Sequence, residues 1–178
     1  MRISIAVVLI FLCSNSARAD VVDSARLDIN GLSKHSSDVY YDRNSAIQKF
    51  NKENYGLGIV ASFKSISPRS VEFSAGFYKN SYYKNSYHAG VNLKQDFTAG
   101  PITFSPGVYL SVTTGYDGVV SAAKRLQPAV LANVHVRYQR FGVTVGYTPV
   151  SLFTDDPNAV SVVTLQISYW LKMRGGNL

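Results

Sequence analysis

A period of two runs along this chain from residue 24 to residue 173, and no other regular pattern rivals it. In the last segment Val163, Leu165, Ile167, Tyr169, Leu171 and Met173 share one parity, while Thr164, Gln166, Ser168, Trp170 and Lys172 share the other. Successive side chains of an extended strand point to opposite faces, so this alternation predicts a strand that is apolar on one side and polar on the other. The same count predicts strands near 24–34, 55–65, 70–79, 84–96, 102–114, 128–139, 141–148 and 160–173. Each is close to the about 9–11 residues with which a tilted strand crosses an outer membrane. The joins at 66–69, 97–101 and around Arg140 are short, those at 35–54, 115–127 and 149–159 are long, and 80–83 lies between. Short turns on one side and long loops on the other are the habit of bacterial barrels, whose turns are periplasmic and loops extracellular. The expected fold is therefore all-β: an eight-stranded antiparallel transmembrane β-barrel of the outer membrane, with both chain ends in the periplasm. A secreted β-sandwich or a soluble lipid-binding barrel would also alternate. Here, however, the apolar parity carries aromatics near the strand ends, as membrane girdles do.

Ahead of the strands, Arg2 is followed by an apolar run from Ile3 to Cys13 and then by Ser-Asn-Ser-Ala-Arg-Ala. Ala17-Arg18-Ala19 has the small-x-small form of a signal peptidase site, which predicts a leader over 1–19, cleaved after Ala19, and a single domain over 20–178. The apolar run is too short for a membrane-spanning helix, which needs roughly 20 residues. Cys13, the only cysteine, belongs to the leader, so no disulfide or cysteine-ligated metal is expected in the mature chain. Removing Arg2 and Arg18 takes the net charge from +7 to +5, since the leader holds no acid. That balance suits an anionic surface such as lipopolysaccharide phosphates, although a solvated basic face looks the same. No motif for nucleic acid, nucleotide, metal or other cofactor is present.

Parity also assigns an interior. Toward the periplasmic end it holds Lys64, Glu72, Lys94, Arg137 and Gln139, a set able to pair and plug the lumen. Toward the extracellular end it holds Gly56, Gly58, Gly76 and Gly90 with Tyr78, His88 and Asn92. Glycines on neighbouring strands leave room in a small lumen that side chains otherwise fill, which predicts an outward-opening cavity above a plug. The same glycines could instead serve bends and close packing.

The stretch GFYKNSYYKNSYHAGVN, residues 76–92, contains YKNSY twice in succession across the turn between the third and fourth predicted strands. Together with QPAVLANVHVRYQRFGVTVGYTPV at 127–150, the glycine-rich NYGLGIV at 54–60 and a histidine just before a long first loop, it resembles the lipid A palmitoyltransferase family (PagP). The resemblance covers roughly 35–171 and is moderate in identity. It implies an outer-membrane acyltransferase that moves an acyl chain from a phospholipid donor to lipid A, with membrane lipids as partners, no cofactor and a monomeric barrel.

Carried over position by position, the resemblance puts the family's histidine on His35, its serine on Ser81 and its aspartate on Asn80. A serine needs a base within hydrogen-bond reach to act as a nucleophile, and His35 has the right chemistry. An asparagine can orient that base but supplies no charge, so either activity is much reduced or another acid, such as Asp38 or Asp42, substitutes. Extrapolated parity puts His35 on the apolar face, unless the first strand ends or bulges before it. Pro128 and Pro149 match family prolines at adjacent strand ends. Proline cannot donate to the ladder, which suits a gap through which a lipid chain enters sideways, or simply the ends of two strands. The resemblance places Asn92 at the floor of the acyl pocket, where the family has glycine, and His88 where it has proline, with Gly90 between them. An asparagine at that depth implies a chain shorter than palmitate. Two other functions compete. One is a non-enzymatic barrel with an envelope or lipopolysaccharide-binding role. The other is a deacylase or esterase, but its usual His-x-Ser arrangement is absent, since Ser86-Tyr87-His88 runs the other way.

Overall fold

The structure is a computed structural model that describes residues 22–41, 44–63, 69–116, 126–149 and 160–171. The predicted leader, Asp42, Lys64, Lys172 and Met173 lie outside the described residues. Eleven strands are present: β1 (Val22–His35), β2 (Val39–Tyr41), β3 (Ile47–Lys49), β4 (Glu53–Phe63), β5 (Arg69–Lys79), β6 (Asn85–Gln95), β7 (Phe97–Ala99), β8 (Ile102–Thr113), β9 (Gln127–Tyr138), β10 (Phe141–Thr148) and β11 (Val162–Leu171). The eight long ones pair antiparallel in the order β1-β4-β5-β6-β8-β9-β10-β11, and the β1–β11 ladder closes the ring. Closure leaves no open edge, which is what permits strands to stand in lipid, where an unpaired peptide group has no water to bond.

The expected alternation is what closes the barrel with the right side outward. Leu27, Ile29, Leu57, Phe73, Leu110 and Ile167 are exposed on the exterior. At the short-turn rim Phe97, Phe104, Tyr138, Phe141 and Tyr169 form one aromatic ring around the wall. Tyr55, Tyr83, Tyr87 and Tyr147 form another at the long-loop rim. An apolar band between two aromatic girdles is the exterior of an outer-membrane barrel. A soluble barrel or sandwich would place these side chains in a core.

Inside, the half nearer the short turns is filled by charge. Glu72, 2 % exposed, accepts from Arg26, from Lys94 Nζ at 2.6 Å and from Ser62 Oγ at 3.1 Å. Arg26 also pairs with Asp28 at 2.8 Å, and Ser168 donates to Asp28 at 2.7 Å. The guanidinium groups of Arg26 and Arg137 lie 5.3 and 5.4 Å from the Trp170 ring centre. Parity identified Glu72, Lys94 and Arg137, but Arg26 and Asp28 complete the cluster. Gln139 does not take part: it is exposed in the tight turn after β9 with a φ of 52°.

The first long loop is partly ordered as the β2–β3 hairpin, which pairs Val39 with Lys49 and Tyr41 with Ile47. Its return places Phe50 and Asn51 over the barrel mouth.

Candidate functional site

His35 ends β1, and an irregularity in that strand aims it. Arg26, Asp28 and Asn30 point inward, as strict alternation requires. Between Asn30 and Leu32 the register shifts on both sides: against β11 Gly31 is an extra residue, and against β4 the extra residue lies on β4. A bulge of one residue reverses the facing of everything after it. Leu32 is therefore exposed on the wall, while Ser33 and His35 are buried in the lumen. Without the bulge His35 would face lipid.

Ser81 follows β5 at the start of the turn to β6. Its Oγ lies 2.6 Å from His35 Nε2, and both residues are buried at the mouth of the barrel. Around them is an aromatic cluster. The His35 and Phe50 rings stack at 4.3 Å with only 5° between their planes. Tyr40 lies 5.0 Å from Phe50, Tyr82 lies 4.8 Å from Tyr40, and Tyr116 lies 5.8 Å from Tyr82. Tyr82 belongs to this inner cluster, whereas Tyr83 and Tyr87 of the same repeat are exposed on the outer girdle.

Asn80 does not stand in for a catalytic acid. It is fully buried and its carboxamide is consumed by the turn. Oδ1 accepts from the backbone N–H groups of Tyr82 and Lys84, each at 2.9 Å. Nδ2 donates to Ser86 Oγ at 3.0 Å and to the Gly115 carbonyl at 2.8 Å. The second copy of the repeat thus supplies a partner, Ser86, for the first. Asp38 is no substitute either, because it pairs with Lys52 at 2.8 Å on the exposed loop. The hydrogen bond and charge of that lysine hold the Asp38 carboxyl below its ordinary range. His35 Nδ1 has no hydrogen-bond partner among the described residues.

Below the dyad a cavity of about 260 Å³ descends into the lumen, lined by His35, Ser81, Tyr78, His88, Asn92 and Leu131 among others. Asn92 forms part of its floor, accepting from Asn133 Nδ2 at 3.0 Å and meeting Glu72 Oε2 at 3.5 Å. His88 lines one wall, with Nδ1 3.0 Å from the Tyr109 hydroxyl, which also bonds Ser74 at 2.7 Å. Gly58 borders the space, but Gly76 and Gly90 do not leave it open. A Cβ on Gly76 would come within 2.7 Å of His88 Nε2, and one on Gly90 within 2.7 Å of the Tyr109 ring. These two glycines make room for neighbouring side chains rather than for a ligand.

Pro128 pairs with Val112 of β8 and lines the cavity. Among the described residues, the β9–β10 ladder ends at Ala132 and Tyr147, whereas β9 continues to Gln127 on β8 alone. Pro149 follows β10 directly on the unpaired side. The two prolines therefore flank the part of the wall where described pairing is one-sided.

No family model and no curated protein matches the chain. Among solved structures it is similar to Neisserial surface protein A, at 15 % identity over 84 % of this chain and 95 % of that one, with a TM-score of 0.45. It is similar also to the outer membrane enzyme PagL, at 11 % identity over 84 % of this chain and 100 % of that one, with a TM-score of 0.47. The outer membrane protein OprG from Pseudomonas aeruginosa gives 13 % identity, coverage of 87 % and 99 %, and a TM-score of 0.47. Likeness at this level says nothing about chemistry, which rests on the site itself.

Proposed function

We propose that this chain is an outer-membrane acyltransferase that moves an acyl chain from a phospholipid to lipid A through a Ser81–His35 dyad. The observation that carries the reading is the 2.6 Å contact between Ser81 Oγ and His35 Nε2 at the mouth of a lumenal cavity. In the first half-reaction Ser81 Oγ attacks the carbonyl carbon of the donor ester and its proton passes to His35 Nε2. The carbon–oxygen bond to the lysophospholipid breaks, and the imidazole returns the proton to the departing alkoxide. In the second half a lipid A hydroxyl gives its proton to Nε2, attacks the acyl-serine ester, and Ser81 recovers its hydrogen. The acyl chain lies in the cavity, and Asn92 at its floor favours a chain shorter than palmitate, because an apolar tail leaves that carboxamide without a further partner.

The mouth lies at the rim of the long loops, the side that faces the outer leaflet in bacterial barrels. One observation favours the second reading, a non-enzymatic barrel that binds lipopolysaccharide. The tautomer that accepts the serine proton keeps its own hydrogen on Nδ1, where no carboxylate or carbonyl among the described residues receives it. The two readings separate on lipid A mass spectra from cells expressing the wild-type chain or the Ser81→Ala variant. Transfer predicts a new acylated species with the wild type alone, whereas the binding role predicts identical spectra.

A further inference from the structure

Among the described residues no carboxylate fixes the His35 imidazole, whose ring is instead stacked on another. We propose that Phe50 is the positioning residue of the dyad, clamping the His35 ring face to face so that Nε2 stays on Ser81. The inference rests on the acyl-transfer reading of that dyad and explains how the ring is oriented where no described carboxylate holds it.

Three observations support it. The two rings are nearly parallel with centres 4.3 Å apart, a stacking that restricts rotation of the imidazole about its Cβ–Cγ bond. Phe50 is itself fixed, being 3 % exposed and packed against Tyr40 and Tyr82. The next residue ties this segment to the serine. The Asn51 backbone N–H donates to the Ser81 carbonyl at 2.7 Å, and its Nδ2 donates to the Asn80 carbonyl at 3.1 Å. Phe50 thus holds the base while Asn51 holds the backbone of the nucleophile. Relative to each other the two catalytic atoms are set by one dipeptide. A carboxylate would orient the ring and also stabilise its positive charge. A phenyl ring supplies the first effect fully and the second only weakly.

The test uses the purified full-length barrel and an alkyl fluorophosphonate. Ser81 Oγ attacks phosphorus, the phosphorus–fluorine bond breaks, fluoride leaves, and the serine proton passes to His35 Nε2. Rates of Ser81 labelling are compared for the wild type, Ser81→Ala, His35→Ala, Phe50→Leu, Phe50→Tyr and the double variant Phe50→Leu/His35→Ala. Folding of each is checked by its heat-modifiable gel mobility. Loss of the stacked ring is expected to slow labelling roughly tenfold, the upper range of an aromatic pair's worth. Phe50→Tyr, which keeps a ring, should recover most of the rate. The double variant should label no more slowly than His35→Ala, because Phe50 acts only through His35. A folded Phe50→Leu barrel that labels at the wild-type rate overturns the proposal and leaves the dyad standing. So does a Phe50→Leu defect that simply multiplies that of His35→Ala. A wild-type protein that is not labelled at Ser81 overturns the nucleophile reading, and the role of Phe50 with it.

Discussion

His35 Nε2 and Ser81 Oγ are 2.6 Å apart although 46 residues separate them in the chain. The contact joins the end of β1 to the turn after β5 across the intervening β4, which pairs with both strands. If it is a nucleophile and its base, His35→Ala and Ser81→Ala should each reduce acyl transfer by about 10²–10⁴-fold. Neither should change the fold. Quantifying acylated lipid A against the folded fraction on a gel checks both.

Placing at position 80 the aspartate that the resemblance to the lipid A palmitoyltransferases implies should not raise activity. In the Asn80→Asp variant a carboxylate oxygen replaces the amide that donates to Gly115 and Ser86. The Ser86 hydroxyl already donates to the Thr114 carbonyl at 2.6 Å and has no second hydrogen to offer. The turn should lose about 1–3 kcal/mol, the cost of stranding a buried polar group. Thermal unfolding of the variant, followed by gel mobility, measures it.

The strand order and the outward face of every long strand were legible in the sequence because a membrane barrel writes its two environments into alternate residues. Glu72 and Lys94 were placed in the lumen on that ground alone. His35 escaped the same logic. Gly31 is the one local sign of a bulge in Asn30-Gly31-Leu32, and an isolated glycine does not fix where, or whether, the register shifts. Arg26 and Asp28 went unremarked at the start of β1, although they share the inward parity. The role of Phe50 was also hidden, because a hairpin inside a long loop returns it to the mouth and no local pattern announces that return.

The bulge itself can be tested. Deleting Gly31 restores strict alternation, turning His35 toward the exterior and Leu32 toward the lumen. Such a barrel should still show heat-modifiable mobility but fail to acylate. Gly31→Ala, which keeps the extra residue, should behave as the wild type. Equal activity in the deletion and the wild type would show that the bulge does not aim the histidine.

The lumenal charges should dominate stability. Glu72 receives both Arg26 and Lys94, so Glu72→Gln leaves Arg26 with Asp28 alone and removes the described counter-charge of buried Lys94. Breaking a buried pair by removing one partner costs about 3–5 kcal/mol. Unfolding in urea, with and without the substitution, gives the number.

The proposed transfer would set chain length at the cavity floor. Asn92→Gly removes the carboxamide that bonds Asn133 and deepens the space beneath His88. The acyl group transferred should lengthen. Mass spectra of the acylated product, compared between the variant and the wild type, report the shift directly.

The central claim is that the Ser81–His35 pair transfers an acyl chain to lipid A. Mass spectrometry of lipid A from matched cells carrying no gene, the wild type or Ser81→Ala tests it most directly. The account predicts one additional acyl mass in the wild type, smaller than palmitate, and none in the other two. A wild-type spectrum identical to that of cells without the gene, with the barrel folded in the outer membrane, would contradict it.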